Sequence, residues 1–410
     1  NGGDFMYGKT KALAVYKTAL TDANLRSLTY PPAVATTFDL NFNTIADDFT
    51  FTRGSEATFV NAQGLIQSTA SNDAPRLDYS TGSEAFLLEP QSTNLVTYSE
   101  LFSNAAWNKN SVTLESGYLA PDGTNTAFKV DGNNSFILST VVTGLVATST
   151  RSIYARTVSG TGTAQLLTHN SNTDNIFTIT EQWQRFEVST ANSSFPDYFY
   201  AVDFRGSGTL SEIILWGANA TNDQNYATSY IPTSGASATR NQELCNNATP
   251  VINSEEGTLY AEISASSNNL PSNHSISITD GTNVNRLYIY RSVSEQKYGF
   301  ALFSNNSLQC HIKSGVINYT EKSKIAVKYK ENDFALWING VEVGVDTSGN
   351  TFTSGVLNKL AFNNGSSNPF FGNTKDLKYY PKALADVQLQ DLTSWGSFTE
   401  MANALNYTIK

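Results

Sequence analysis

Three histidines are the side chains of this chain best suited to acid–base chemistry or metal binding. His169, His274 and His311 lie far apart in the sequence, each in a different predicted strand. No HExxH, Gly-x-Ser-x-Gly or phosphate-binding Gly-rich motif accompanies them, and such motifs bring a base, nucleophile or ligand set to the required spacing. We therefore expect each histidine to be structural or to lie at the surface, with no metal site among them.

Two pairs of adjacent acids are the carboxylates that stand out for hydrolysis. They are Asp47-Asp48 and Glu255-Glu256. Successive side chains of a strand point to opposite faces, so neither pair could flank a single glycosidic bond. A glycosidase needs two carboxylates that converge from separate elements, and spacing along the chain does not reveal such convergence. We expect no enzyme activity, and a hydrolase stays open as an alternative.

Two Asp-Gly segments and two cysteines are the other candidate metal ligands. Asp-Gly-Thr-Asn segments begin at Asp122 and Asp280, and their oxygens could coordinate calcium. Asp-Gly is also favoured in plain turns because of its backbone angles, so we expect turns and no cofactor, with calcium as the alternative. Cys245 and Cys310 form no metal or redox motif. Two separate, partly buried thiols are favoured over a disulfide.

Aromatic side chains carry the strongest indication of a binding function, because the chain has 20 tyrosines and 5 tryptophans. Flat rings pack against the C–H face of a sugar, while polar side chains bond its hydroxyls. In the segment LYIY, Tyr288 and Tyr290 alternate with Leu287 and Ile289, so the two pairs occupy opposite faces of a strand. If the Leu/Ile face is inside, the tyrosines form an outer stripe that is predicted to stack a sugar chain.

Three further aromatic residues are predicted to contact a glycan. Tyr198 and Tyr200 share one face of the segment YFY, and Trp107 lies in a polar stretch. Trp216 and Trp337 lie in strongly apolar segments, where core packing is expected instead. Tyrosines are also enriched in protein interfaces, so an interface within a larger assembly is an equally weighted alternative for the tyrosine stripes.

The charge and the hydropathy of the chain argue against nucleic acid and membrane as partners. The chain has 410 residues, a net charge of -10 and only 15% charged residues. Nucleic-acid surfaces need clustered Lys and Arg to displace counterions from phosphates, so we expect no nucleic-acid partner. No run of 18 apolar residues occurs, and we expect no membrane insertion.

Short alternating runs separated by turn residues fill most of the sequence. SFILSTVV, QRFEVST and KIAVKYK are examples, and Asn339-Gly340 predicts a type I′ hairpin turn. This pattern predicts an all-β chain with two consecutive antiparallel β-sandwiches of the jelly-roll type and short helices at the module ends. The expected division is a module remnant at 1–30, a linker at 31–37, sandwiches at 38–243 and 251–393, and a tail at 394–410.

One segment occurs twice, at the start and near the end of the chain. Residues 8–29 and 372–393 are identical at 11 of 22 positions, and each copy reads as a strand, a turn and a short helix. An element that normally closes a module therefore opens the chain. We expect either proteolytic maturation before Asn1 or a fragment of a larger modular protein.

The quoted motifs resemble known families. Residues 251–393, with TLYAEISA, FALWINGVEVG and LKYYPKALADVQLQDL, resemble the laminin-G-like, concanavalin-like sandwich. Residues 38–243 resemble a module of bacteriophage tail-fibre, head-fibre and other virion proteins, through FTRGSEATFVNAQGLIQ, PRLDYSTG, FLLEPQSTNLVTYSELFSNAAWNK, APDGTNTAFKV and YATSYIPTSGASATRN. The ending FTEMANALNYTIK is similar to the terminus of such proteins in phages that infect Bacteroidota.

The resemblance implies a virion appendage at the particle surface. It implies other virion proteins and a host-surface polysaccharide as partners, and a homotrimeric assembly. No binding-residue motif of the family can be matched to this sequence. Two alternatives stay open: a polysaccharide depolymerase or its accessory binding part, and an architectural capsid or tail decoration without a ligand.

Overall fold

The computed structural model describes residues 17–19, 35–132, 137–146, 149–167, 175–189, 198–205, 207–268 and 272–405. The chain divides into two compact units, Asn1–Ala35 and Thr36–Lys410. Almost all described residues belong to the second unit. The predicted strand and helix between residues 8 and 29 therefore lie outside the described residues, apart from 17–19.

Short strands make up most of the second unit, which confirms the all-β fold class. In the first half of the chain they are β1 Phe38–Asp39, β2 Thr50–Thr52, β3 Thr58–Val60, β4 Ile66–Ser68, β5 Arg76–Asp78, β6 Ala85–Leu88, β7 Ser92–Asn94, β8 Trp107–Asn110, β9 Thr113–Tyr118, β10 Ala127–Asp131, β11 Ile137–Val141, β12 Thr150–Arg156, β13 Gly162–Gln165, β14 Ile176–Ile179 and β15 Gln184–Val188.

The remaining strands follow in the second half. They are β16 Tyr198–Asp203, β17 Glu212–Thr221, β18 Ala238–Arg240, β19 Leu244–Asn246, β20 Glu256–Ser264, β21 His274–Thr279, β22 Arg286–Ser292, β23 Lys297–Ser304, β24 Ser307–Lys313, β25 Ser323–Lys330, β26 Phe334–Ile338, β27 Val341–Asp346, β28 Lys359–Ala361 and β29 Gly372–Tyr380. The described helices are α1 Ile45–Asp48, α2 Asp386–Thr393 and α3 Phe398–Ala404. None of these helices is long and apolar enough to cross a membrane.

The first sandwich consists of two five-stranded antiparallel sheets. Their strand orders are β15-β12-β17-β10-β9 and β14-β13-β16-β11-β8. Apolar side chains from both sheets form one core, which includes Leu138, Ile153, Phe199, Ile213 and Leu215. Burying these side chains is the main driving force for the pairing of the two sheets.

The second sandwich packs an eight-stranded sheet on a five-stranded one. The larger sheet has the order β27-β26-β25-β20-β29-β6-β5, with β1 also paired to β29, and the smaller has the order β24-β23-β22-β21-β28. Their shared core includes Leu259, Ile289, Phe300, Leu336 and Leu377. Helix α2 follows β29 and begins after Ala385, as the repeated segment predicts.

The sheets do not divide where the expected module boundary lies. Strands β1, β5 and β6 come from residues 38–88, yet they extend the large sheet of the second sandwich. Leu88 pairs with Gly372 and Phe38 with Tyr379. The fully buried AFLL sequence of β6 supplies the backbone partners that the edge of β29 would otherwise lack.

Five buried charged side chains hold together the segments that connect the two sandwiches. Arg53 and Arg76 both donate to Glu243, at 2.8 and 2.9 Å, while Arg76 and Arg240 both pair with Glu89, at 2.9 and 2.5 Å. Burial alone would raise the pKa of Glu89, but the charges of Arg240 and Arg76 outweigh burial and hold it at about 2. Four of these residues belong to the motifs that resemble the phage module, and Glu243 lies two residues after the last motif, so those motifs build the fold.

Several core predictions are confirmed. Trp216 and Trp337 are buried, and Nε1 of Trp216 donates to Oγ1 of Thr126 at 3.0 Å. Cys245 and Cys310 are both buried and free.

His274 is buried edge-on against Phe371 and hydrogen-bonded to Arg291. Burial, helped by the Arg291 charge, lowers its pKa to about 2, so His274 is an uncharged structural residue. His169 lies outside the described residues.

Candidate functional site

Strand β22 presents two tyrosines on the side of its sheet that faces away from the core. Leu287 and Ile289 are buried in the core of the second sandwich, and Tyr288 and Tyr290 are half-buried on the opposite face. Their ring centroids are 5.7 Å apart. The predicted division of faces in LYIY is therefore correct.

The neighbouring strand β23 provides a floor of small residues beside these rings. In register, Gly299 lies opposite Tyr290 and Ala301 lies opposite Tyr288. A Cβ at Gly299 would overlap the ring of Tyr290, so the ring lies directly over the glycine backbone. The ring of Tyr290 thus covers Gly299, and Ala301 is the residue of β23 that lines the groove between β22 and β24.

Phe303 and Arg286 fix the position of Tyr288. The ring of Phe303 is parallel to that of Tyr288 within 3°, with centroids 6.4 Å apart. The guanidinium of Arg286 lies 4.6 Å from the centroid of Phe303 and 5.5 Å from that of Tyr288. Stacking and cation–π contacts of this kind restrict the ring before any ligand arrives.

His311 on β24 closes the groove on the other side. It lies opposite Ala301, and its Nε2 is 2.6 Å from the phenol oxygen of Tyr290. Partial burial and the charge of Lys313 lower the pKa of His311, so it is uncharged at neutral pH. Burial raises the pKa of Tyr290 to about 12, so the phenol keeps its proton.

Three asparagines and a serine supply polar groups. Asn273, Asn364, Asn368 and Ser275 line the groove with the rings already described. The Oδ1 atoms of Asn273 and Asn364 accept from Val293 N and Ser367 N at 3.0 and 3.1 Å. Within the described part of the chain their Nδ2 groups have no partner, so these donors are available to a ligand.

Ser275 is the most unusual of these groups. Only 1% of the residue is exposed, yet its Oγ makes no hydrogen bond with any described residue. A buried hydroxyl without a partner costs about 1–3 kcal/mol. Native structures satisfy most buried polar groups, so an unpaired hydroxyl at a concave site is a candidate contact for a ligand or an ordered water.

The groove has a volume of 220 Å³. Its described lining is Asn273, Ser275, Tyr288, Tyr290, Ala301, Phe303, Leu308, His311, Asn364 and Asn368, with no Asp, Glu, Lys or Arg. Such a lining offers flat rings and neutral hydrogen-bonding groups but no carboxylate for acid–base hydrolysis.

The structure corrects two of the predicted aromatic contacts. Trp107 is 2% exposed and packs edge-on against Phe102 and Phe199, while Nε1 donates to Tyr98 O at 2.9 Å. It begins strand β8 and lies in no described helix. Tyr200 is 5% exposed, and burial raises its pKa to about 12. Neither ring has a face open to a sugar.

Tyr198 stays a predicted contact. It is half-buried at the start of β16 and shares a face with Tyr200, their ring centroids 5.7 Å apart.

The Asp-Gly segments form turns. Oδ1 of Asp122 accepts from Thr124 N and Oγ1 at 2.9 and 2.7 Å, and Oδ1 of Asp280 accepts from Thr282 N and Oγ1 at 2.8 and 2.6 Å. Within the described ranges, no group of three or more His, Cys, Asp or Glu side chains could hold a metal ion. The first acid pair, Asp47-Asp48, lies on helix α1 and not on a strand.

A different cleft, of 570 Å³, lies on the first sandwich and contains a carboxylate. Its lining includes Glu100, Leu101, Asn125, Phe128 and Pro232. Oε1 of Glu100 accepts from the Tyr230 phenol at 2.8 Å. Burial raises the pKa of Glu100, and this gives Glu100 one property of a general acid.

No protein-family model and no curated protein matches the chain. Solved structures resemble parts of it. One is the CBM40 domain of the Ruminococcus gnavus IT-sialidase bound to α2,6-sialyllactose, with 17% identity, coverage of 34% of this chain and 84% of that one, and a TM-score of 0.30. Another is domain 4 of AbnA, a GH43 extracellular arabinanase from Geobacillus stearothermophilus, in complex with arabinotriose, with 16% identity, coverage of 42% and 84%, and a TM-score of 0.32.

A heptameric SAP-like pentraxin from Limulus polyphemus also resembles this chain, with 14% identity, coverage of 37% and 76%, and a TM-score of 0.30. These likenesses cover less than half of the chain at TM-scores of 0.30 to 0.32, and they establish neither its fold nor a binding site.

Proposed function

We propose that this chain is a non-catalytic glycan-binding protein and that the groove beside Tyr288 and Tyr290 holds an uncharged sugar. The proposal rests on the two fixed rings, which lie beside the small side chain of Ala301 in the groove. A sugar ring would place its C–H face on the tyrosines. Its hydroxyls would accept hydrogen bonds from the free amide groups of Asn273 and bond the partnerless Ser275.

The size of the groove sets the expected strength of binding. Its 220 Å³ is below the roughly 300–1,000 Å³ of sites that enclose a small ligand. The groove would therefore hold one or two sugar units and leave the rest of a chain in solvent. Weak single contacts of this kind become useful when several copies on one particle act together, because each bound copy raises the effective concentration of the next.

The proposed setting is a phage virion, as part of a tail or head fibre. Support comes from the resemblance of residues 38–243 to virion modules, and the trimeric assembly and contacts with other virion proteins belong to the same proposal. The structure adds that the resembling motifs supply Arg53, Arg76, Glu89 and Arg240, four of the five side chains of the buried cluster. A module built around such a cluster would serve as a scaffold, while the groove lies on the second sandwich.

The experiment is binding of the labelled protein to candidate host cells before and after their surface polysaccharide is stripped. Binding that disappears on stripping, and that weakens in a Tyr288→Ala/Tyr290→Ala variant, supports the proposal. Binding at wild-type affinity in the variant contradicts the groove as the site. A multivalent wild-type assembly that binds no cell would support the architectural alternative.

A polysaccharide depolymerase is the second candidate, because Glu100 is a desolvated carboxylate in a cleft. Glu89 is unsuited to that role, since a pKa of about 2 keeps it ionised at neutral pH. The discriminating measurement is the release of reducing ends from the polysaccharide that the cells carry. We expect none from the wild type; release that is abolished by Glu100→Gln would establish the enzyme instead.

A further inference from the structure

A larger cleft, with a volume of 660 Å³, lies between the two sandwiches and shares no lining residue with the groove. Three parts of the chain form its walls. They are the hairpin of β3 and β4 with the turn after β5, the outer face of β12 and β15 in the first sandwich, and the ends of β20 and β29 in the second. Both sandwiches must be in place for the cleft to exist.

Tyr154 is the central aromatic residue of the cleft. Its ring packs against Trp216 and Tyr230, with centroids 5.6 and 6.4 Å away, and the guanidinium of Arg185 lies 5.4 Å from its centroid. Gly217 has a φ of +65°, and a Cβ there would come within 3.2 Å of the Tyr154 ring, so the glycine makes room for it. The ring is therefore held on several sides.

The phenol of Tyr154 is free for a ligand. It forms no hydrogen bond with any residue in the described ranges, while burial raises its pKa and keeps it protonated. The hydroxyl is thus a fixed donor in the cleft.

Two further polar atoms of the cleft lack partners. Arg185 donates through Nη1 to Thr228 O at 2.5 Å and through Nη2 to Ser152 Oγ at 2.9 Å, but its buried Nε donates to no described atom. Asn373 is 8% exposed, and its Oδ1 accepts no hydrogen bond from the described residues. A donor and an acceptor therefore stay unsatisfied at one site, at a cost that a bound ligand would remove.

The charges in the cleft favour a neutral ligand. Glu89 is compensated by Arg76 and Arg240. Asp78 accepts from Val60 N at 2.8 Å and Ser80 N at 3.0 Å but has no cationic partner in the described part of the chain. Its negative charge balances the positive charge of Arg185, the other lining charge without an ionic partner.

We propose that this cleft is a second binding site, for an uncharged, hydroxyl-rich ligand of the saccharide class. The phenol of Tyr154 and Nε of Arg185 donate to ligand hydroxyls, and Oδ1 of Asn373 accepts from one. Val60, Ile66 and Leu87 provide apolar surface for C–H groups. This extends the proposed function by a second site of the same ligand class, and it does not depend on the groove.

The test uses the full chain with the groove silenced by Tyr288→Ala/Tyr290→Ala. The probes are glucose, galactose, mannose and N-acetylglucosamine, with glucuronate as the charged comparison, and binding is followed by ligand-observed NMR. At least one neutral sugar should bind, and adding Tyr154→Phe should weaken it about fivefold, the worth of one hydrogen bond. Tyr118→Phe removes a phenol outside the cleft and should change nothing.

Asn373→Leu separates a binding role from a structural one. It replaces an unsatisfied amide by an apolar group of similar size, so the melting temperature should stay equal or rise while sugar binding falls. The proposal is overturned if no neutral sugar binds the groove-silenced chain, or if binding survives both substitutions in the cleft. The Tyr154→Phe/Asn373→Leu variant keeps the groove intact, so its sugar binding reports on the groove alone. Loss of binding at one site is therefore distinguishable from loss at the other.

Discussion

The phenol oxygen of Tyr290 and Nε2 of His311 are 2.6 Å apart, although a complete strand lies between the strands that carry them. The two side chains meet above β23 because Gly299 and Ala301 leave the space over it open. The hydrogen bond holds Tyr290 in place, and the parallel ring of Phe303 does the same for Tyr288. The stripe is therefore rigid before a ligand binds, and this lowers the entropic cost of binding.

Removing either ring of the stripe should weaken glycan binding. We expect Tyr288→Ala or Tyr290→Ala to reduce affinity about tenfold, because each loses an aromatic contact worth roughly 0.5–1.5 kcal/mol together with the apolar area of the ring. Tyr290→Phe keeps the ring and loses only the bond to His311, so its effect should be smaller. Titration calorimetry with the polysaccharide identified on host cells would measure all three.

The matched control for these variants is Phe398→Ala, which removes an exposed aromatic ring that does not line the groove. Its affinity should equal that of the wild type. Equal losses of affinity for Phe398→Ala and Tyr290→Ala would mean that the assay measures nonspecific binding to exposed rings. That result would contradict the role of the tyrosine stripe.

Some residues of the groove could be predicted from the sequence, and others could not. The alternation in LYIY correctly predicts which residues of β22 face away from the core, since side chains alternate strictly along a strand. Ser275, His311 and Asn364 line the groove from other parts of the chain. The strand register that brings them together cannot be read from the sequence. His311 could not be predicted as a groove residue from the sequence, because its contact with Tyr290 across β23 depends on the tertiary structure.

The two corrected aromatic residues fail for a related reason. Trp107 has polar neighbours in sequence, but its ring is buried by Phe102 and Phe199, and the latter is distant in the chain. The expected boundary at residue 243 likewise takes no account of β1, β5 and β6, which complete a sheet whose other strands lie beyond residue 255. Local pattern identifies strands well and their partners poorly.

Acidification should destabilise the protein through His274 before its carboxylates titrate. In the folded state its pKa is about 2, below the ordinary value of 6.5, so the unfolded chain binds a proton that the folded chain does not. The stability is therefore complete above about pH 6.5 and falls as the pH decreases, by about 1.4 kcal/mol per pH unit for one such group.

Urea unfolding between about pH 5 and 8 would measure this dependence. His274→Gln should flatten the slope below about pH 6.5 and leave it unchanged near pH 8, where neither state holds the proton. Parallel slopes for variant and wild type across the whole range would show that another group is responsible.

The buried charge cluster should be far more sensitive than surface ion pairs. Arg76→Met leaves Glu243 and Glu89 short of a partner in the interior, and we expect a loss of about 3–5 kcal/mol in the free energy of unfolding. Lys129→Met breaks the more exposed pair with Glu115, 3.0 Å long, and should leave the free energy of unfolding nearly unchanged. Similar losses for both variants would contradict a structural role for the cluster.

Two serines on β21 give the sharpest test of the groove. Ser275 and Ser277 lie two residues apart on the same face, both are buried, and neither Oγ has a hydrogen-bond partner among the described residues. Only Ser275 lines the groove. Replacing either by alanine removes an unsatisfied hydroxyl, so both variants should be as stable as the wild type or more stable.

Glycan affinity should distinguish the two serine variants. Ser275→Ala removes a group that we assign to the ligand, and affinity should fall about fivefold, the value of one hydrogen bond. Ser277→Ala should bind like the wild type. A stability gain without any loss of affinity in Ser275→Ala would show that the hydroxyl does not contact the sugar, and a loss in both variants would place the ligand deeper on the sheet than the groove allows.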